Sequence, residues 1–243
     1  GIWKTTNGTN PTPTWTPLTD QLPALGITAL AIDALNPNVI WGGTGSPSSS
    51  GKTAGTIGLL KSVDAGQTWQ VIPSVFGSQG RQIHAIYARG SLVLVGSDAT
   101  PFANVTPNQL GGGLLRSTNG GASFKKISGN ANDTLDNDGD GSRDEADENN
   151  GLPGGTVLDL QVEPGNPNRF YVVINTQGVF RSDDAGLTWN ATGNAQLNGL
   201  ATSQRVQVSV SNATDTGTNN HPVYAGVISP VQDALTSIAV VNA

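Results

Sequence analysis

One phrase, written four times, sets the architecture open to this chain. "GLLKSVDAGQTWQVI" stands at 58–72, "GLLRSTNGGASFKKI" at 113–127 and "GVFRSDDAGLTWNAT" at 178–192. A fourth copy begins Gly1-Ile2-Trp3-Lys4-Thr5-Thr6-Asn7 and reaches Trp15 after three additional residues. The repeat glycines Gly1, Gly58, Gly113 and Gly178 are 57, 55 and 65 residues apart. A period of this length makes each unit one supersecondary element whose apolar faces are buried by its neighbours.

Inside the unit the apolar residues alternate in short runs broken by turn residues, which is the pattern of strands. "ITALAID" (27–33), "VIWGGTG" (39–45), "GLLKS" (58–62) and "TWQVI" (68–72) read as four strands. "NPN" at 36–38 reads as the first turn and "DAGQ" at 64–67 as the third. The same order recurs as "QIHAIYA", "LVLVGS", "GLLRS", "SFKKIS", and again as "TVLDLQV", "RFYVVI", "GVFRS", "TWNAT", with "NPN" at 166–168 as a turn. No segment reads as an amphipathic helix. "QRVQVSVS", "PVYAGVI" and "LTSIAVVNA" follow as further strands.

Each third turn has a physical logic. Asn7, Asp64, Asn119 and Asp184 are placed to accept bonds from backbone N–H groups ahead of them. Gly66, Gly121 and Gly186 are free to take positive φ. The hydroxyls of Thr5, Ser62, Ser117 and Ser182 can tie the turn to its strand. Trp15, Trp69, Phe124 and Trp189 then supply a large ring to bury between sheets.

The pattern Ser-x-Asp-x-Gly-x-Thr-Trp, as in "SVDAGQTW" and "SDDAGLTW", resembles the Asp-box or BNR repeat. That repeat occurs in sialidases, sortilin-type receptors, xyloglucan-hydrolysing endoglucanases and a photosystem assembly factor, all of them β-propellers. The resemblance implies an all-β chain of four-stranded antiparallel blades, strands A to D running outward from the axis. It gives the third turns a structural role as the links from C to D. Blade boundaries then fall near 1–19, 26–73, 81–128, 155–193 and 204–243. Two closures are open: the first C–D pair completes the last blade in a four-bladed ring, or the chain is a segment of a propeller of six to eight blades. A–B and C–D turns share one face. The long B–C and D–A loops at 44–57, 97–112, 129–155 and 229–236 share the other.

Charge is concentrated in one of those loops. Of a net −6, residues 133–148 carry eight acids and one arginine, so the remainder is nearly neutral. "DNDGDGSRDEAD" at 136–147 has acids at its positions 1, 3, 5, 9 and 12 and Gly141 at position 6. Calcium takes six to eight hard oxygens from a loop that wraps it. The spacing resembles the calcium loop of the thrombospondin type 3 repeat. By that resemblance Asp136, Asp138, Asp140, Asp144 and Asp147, with a carbonyl near Ser142, hold a structural Ca2+ within an insert at 131–152.

The rest of the composition excludes more than it selects. The 243 residues suffice for one large domain, and only 12% are charged against the usual ~25%. There is no basic stripe for nucleic acid and no apolar run of 18 residues for a membrane span. Cysteine is absent, so disulfides and thiolate metal sites are excluded. Nothing resembles a signal peptide, and the opening without Met reads as a mature or trimmed piece.

The arginine triad and Tyr–Glu pair of a sialidase are not recognisable. The function expected is a binding or assembly module outside the cell or on its surface. Its ligand, protein or polysaccharide, sits on the long-loop face, and other domains or copies join it in a larger assembly. The alternative is a glycoside hydrolase of the xyloglucanase type, which needs two carboxylates across a cleft. Asp33, Asp98 and Asp159 are the loose candidates. His84 in "QIHAIY" reads as a packed inner-strand residue.

Overall fold

A computed structural model describes residues 1–22, 26–45, 56–72, 81–98, 112–129, 150–193, 205–213, 221–229 and 234–241. Every regular element among them is a strand. β1 (Trp3–Lys4) and β2 (Thr16–Pro17) form a two-stranded sheet. Blade 1 is β3 (Ile27–Ile32), β4 (Ile40–Thr44), β5 (Leu59–Ser62) and β6 (Gln70–Ile72). Blade 2 is β7 (Ile83–Arg89), β8 (Leu92–Ser97), β9 (Leu114–Ser117) and β10 (Lys125–Lys126). Blade 3 is β11 (Val157–Glu163), β12 (Asn166–Ile174), β13 (Gly178–Ser182) and β14 (Asn190–Ala191). A three-stranded sheet follows, of β15 (Arg205–Val210), β16 (Val223–Ser229) and β17 (Ala234–Val241). All neighbours are antiparallel and sequential, so each blade is a simple meander.

The blades stack face to face, with A strands β3, β7, β11 and β15 side by side. One side of blade 1, with Trp41 and Leu59, meets Ile83, Val93, Val95, Leu115 and Phe124 of blade 2. Blade 2 in turn offers Ala85, Leu94 and Leu114 to Leu160, Phe170, Val172, Phe180 and Trp189 of blade 3. Tyr171, Val173 and Val179 then cover Val206, Val208, Val223 and Ala225. Two facts fix this layout: the strand alternation gives every blade two apolar sides, and each buried Leu, Val or Phe contributes about 1.5–3 kcal/mol. The stacked, four-stranded antiparallel sheets make the chain a β-propeller.

Of the two closures, the four-bladed ring is not formed: "LTSIAVVNA" supplies β17 in the third-strand place beside β16, and β1–β2 stays a separate sheet. One detail differs from the sequence reading. Residues Asn166–Asn168 are not a turn but the start of β12, with Asn166 opposite Glu163. The turn lies one step earlier, at Pro164-Gly165, because Pro presets the first corner and Gly165 takes a φ of 79° at the second.

Candidate functional site

The C–D turns are built on one plan in the three blades, and the first copy keeps part of it. Ser62 Oγ donates to Asp64 Oδ1 (2.8 Å) and accepts from Gly66 N (2.8 Å). Asp64 also accepts from Thr68 N (2.9 Å) and Thr68 Oγ1 (2.6 Å). Ser182, Asp184, Gly186 and Thr188 repeat these bonds at 2.6–2.9 Å. In blade 2, Ser117 Oγ donates to Asn119 Oδ1 and accepts from Gly121 N, and Asn119 Oδ1 accepts from Ser123 N, while Asn119 Nδ2 reverses the last bond by donating to Ser123 Oγ. In the first copy Thr5 donates to Asn7, whose Oδ1 accepts from Thr14 N at 2.9 Å, so the three extra residues bulge out without changing the closure. Donation from Thr68 leads the causes that hold the Asp64 carboxyl down at about 2. Burial works against ionisation of Asp184, but the Thr188, Ser182 and Leu187 donors outweigh it and its carboxyl also lies low.

The rings are not equivalent. Phe124 and Trp189 are buried between blades. Trp69 is half-buried, and Trp15 is 55% exposed. The difference has a cause: Trp189 is covered by a complete blade 2, Trp69 by β1–β2 alone, and no sheet of the described residues lies over Trp15.

The repeat also carries a link that the sequence reading did not identify. Lys4 Nζ donates to Ala65 O, Lys61 Nζ to Gly120 O and Arg116 Nε to Ala185 O, at 3.3, 2.7 and 3.0 Å. Each bond joins strand C of one unit to the C–D turn of the next. The acceptor residue is anchored in its own blade, since Ala65 and Gly120 donate their N–H to Asn38 and Ser91 O in the A–B turn and Ala185 donates to Asn168 O at the start of β12, just past that turn. Those bonds place A–B and C–D turns on one face.

The other face holds the candidate site. The A strands of blades 1 to 3 each open there with a β-bulge, and the extra residue is Thr28 in blade 1, His84 in blade 2 and Leu158 in blade 3. Thr28 Oγ1 donates across to Ile83 O of blade 2 (2.6 Å). His84 Nε2 instead lies 2.7 Å from Asp98 Oδ1, just beyond the end of β8. Asp98 is set by its backbone, Asp98 N donating to Gln82 O, a bond repeated by Gly45 N to Gly26 O and Asn175 N to Thr156 O. Beside it Arg81 is buried and turned toward the Asp98 carbonyl (3.4 Å). Burial lowers the Arg81 pKa, and the Asp98 charge pulls it back. A Cβ on Gly112 would stand 1.5 Å from Asp98 O, so only glycine lets the chain return there. His84 and Asp98 remain partly open to solvent, with 19% and 30% of their side chains exposed. In the neutral tautomer that donates from Nε2 to Asp98, the His84 Nδ1 is an acceptor for a ligand's N–H or O–H.

The other candidate carboxylates are committed elsewhere. Asp159 accepts from Leu160 N, Gln161 Nε2 and Val208 N at 2.8–3.1 Å. Asp33, on the opposite face, accepts from Leu35 N, Asn36 N and Gly90 N at 2.8–3.1 Å. Both act as staples between neighbouring blades. Asp136, Asp138, Asp140, Ser142, Asp144 and Asp147 lie outside the described residues, and no group of three potential ligands occurs within them. The stem of that loop is described. Gly129 N donates to Leu152 O (3.0 Å), and Asn150 bridges Ile127 O (2.6 Å) and Trp189 N (2.8 Å). Among the described residues no helix is long and apolar enough to cross a membrane.

No protein-family model and no curated protein matches the chain. Solved structures similar to it include an ancestral GH74 enzyme, at 17% identity and a TM-score of 0.44, over 88% of this chain and 25% of that one. YCF48 bound to D1 peptide is 14% identical with a TM-score of 0.46, over 87% and 53%. The GH74 xyloglucanase from Xanthomonas campestris is 15% identical with a TM-score of 0.40, over 87% and 30%. The chain spans from a quarter to about half the length of these structures. The fold assignment rests on the strand order and pairing above, not on these likenesses.

Proposed function

We propose that this chain is an Asp-box β-propeller, part of a larger one, that acts as a binding or assembly module outside the cell or on its surface. Its ligand, protein or polysaccharide, sits on the face of the B–C and D–A loops and meets His84 and Asp98. The observation that carries binding over hydrolysis is the use already made of the carboxylates. A glycosidase needs two that are free to reach a sugar. Asp33 and Asp159 are each held by three donors, which leaves Asp98.

The loop at 136–147 is proposed to hold Ca2+. Five carboxylates and a main-chain carbonyl form a set of hard oxygens that fits this ion. The ion would neutralise the loop and stiffen it over a stem already clamped at Gly129 and Asn150. Sites of this kind suit the high free calcium outside cells.

Affinity electrophoresis through soluble polysaccharides, together with a peptide array, tests the reading. Binding is expected to fall at least tenfold in His84→Ala and Asp98→Ala, with no reducing ends released from xyloglucan. Release of reducing ends by the native chain, lost in Asp98→Asn, would favour the hydrolase.

A further inference from the structure

Once His84 Nε2 and Asp98 Oδ1 are joined, two polar atoms of the pair remain, Asp98 Oδ2 and His84 Nδ1. Neither meets a donor among the described residues, and both side chains keep contact with solvent. With the ring proton on Nε2, both atoms are acceptors. The pair has no donor left to offer a ligand and two places to receive one.

The buried cation beside the pair does not fill those places. Arg81 is 5% exposed and directs Nη1 at the main-chain carbonyl of Asp98, 3.4 Å away. A Cβ on Gly112 would stand 3.0 Å from Arg81 Cδ, so the returning chain packs against its stem. Arg81 therefore tempers the Asp98 charge without a bond to either carboxylate oxygen.

The wider field favours a positive ligand. The loops 44–57, 97–112 and 129–155 hold nine acids and two bases in sequence, a net −7, while the whole chain is −6. They leave the fold on this face at Gly45, at Asp98 and at the Gly129–Leu152 stem. One bound Ca2+ would still leave them at −5. Such a field draws a cationic partner to the face and turns an anionic one away. A neutral polysaccharide gains nothing from it.

Resting on the reading of His84 and Asp98 as the place of binding, we infer that the site receives a basic side chain of a protein partner, an arginine in preference to a lysine. A guanidinium carries five N–H donors in one plane and no acceptor, so it can serve Oδ2 and Nδ1 together; an ammonium offers three donors from one nitrogen. The bond to Asp98 is charge-assisted. Blades 1 and 3 hold Gly45 and Asn175 at the place of Asp98, and Thr28 and Leu158 at that of His84, so one such group is taken per chain by these three blades.

Three capped peptides of one neutral sequence, with arginine, lysine or citrulline at the centre, are the probes. Citrulline keeps the shape of arginine without its charge. The chain has two histidines, so 15N-histidine NMR reads the site directly. The arginine peptide should move His84 Nδ1 at one site per chain and leave His221 alone, since its Nδ1 is held by Ser211 O in the turn between β15 and β16. Citrulline should bind at least tenfold more weakly. Arginine binding should fall at least tenfold in Asp98→Asn, with circular dichroism checking that the variant folds. In the native chain it should also weaken steeply as salt rises from about 0.05 to about 0.5 M. Equal binding of arginine and citrulline, or arginine binding that survives Asp98→Asn, would overturn the assignment. If a soluble polysaccharide moves His84 and no peptide does, the site stands and its basic partner falls. If neither moves His84, both fall.

Discussion

At the scale of single residues the C–D turn is a compromise between strain and linkage. Ala65 and Ala185 hold φ of 60° and 61°, a region that disfavours a Cβ by about 1–2 kcal/mol, and Gly120 takes the same place in blade 2. Ala185→Gly should relieve that strain against a smaller loss of chain stiffness, for a net gain of up to about 1 kcal/mol. A denaturant titration showing a loss above about 1 kcal/mol would contradict this. The carboxylates make the same turns acid-sensitive. Asp64 lies near 2 in the folded chain against an ordinary 3.8, so the unfolded chain binds more protons between those values. Its stabilisation is present above about pH 4 and is lost as pH falls toward 2. Asp64→Asn should flatten the fall in thermal midpoint across that window and keep the fold, since Asn119 closes an equivalent turn. Trp189→Ala should remove about 3–5 kcal/mol, as for a buried ring in a core. Trp69→Ala should remove clearly less, because its ring is already half in water.

At the scale of elements, each basic latch ties strand C to the turn of the next blade. Arg116→Met should leave Ala185 O without its charged donor and cost about 1.5–3 kcal/mol, read from the shift in denaturant midpoint. The acidic D–A loop is an element whose order is proposed to depend on its ion. Cleavage near Arg143 should slow and the thermal midpoint rise in millimolar Ca2+ relative to EDTA; identical behaviour in both, with no bound metal by elemental analysis, would sink the calcium reading. The strands and C–D turns were legible because alternation and local hydrogen bonding act within a few residues. The latches were not, because a lone Lys or Arg ahead of a turn serine reads as a solvated strand residue. The His84–Asp98 pair was not legible either: its members are fourteen residues apart, and a bulge re-aims one of them. The period offered a signal all the same. Thr28 and Leu158 occupy the positions of His84, and Gly45 and Asn175 that of Asp98, so only blade 2 sets two titratable groups at these points.

At the scale of the whole molecule, stability should follow how many sides of a sheet are covered. The β7–β9 and β11–β13 amides should exchange most slowly, and β3, with one side half open, should exchange faster; uniform protection across the three blades would contradict the stacking argument. The stack was legible as a periodic array, but which sides lie open was not, since that depends on which strands stand beside which. The latches add an asymmetry to this array. Lys4, Lys61 and Arg116 all reach forward along the chain, and none of the three reaches back. Loosening blade 1 withdraws a cation from the turn of blade 2, which in turn steadies the strand that holds the turn of blade 3. Loosening blade 3 takes the acceptor from Arg116 just as loosening blade 2 takes the donor from Ala185. The coupling is reciprocal, so a crack opened at either end travels along the same chain of latches, one blade at a time.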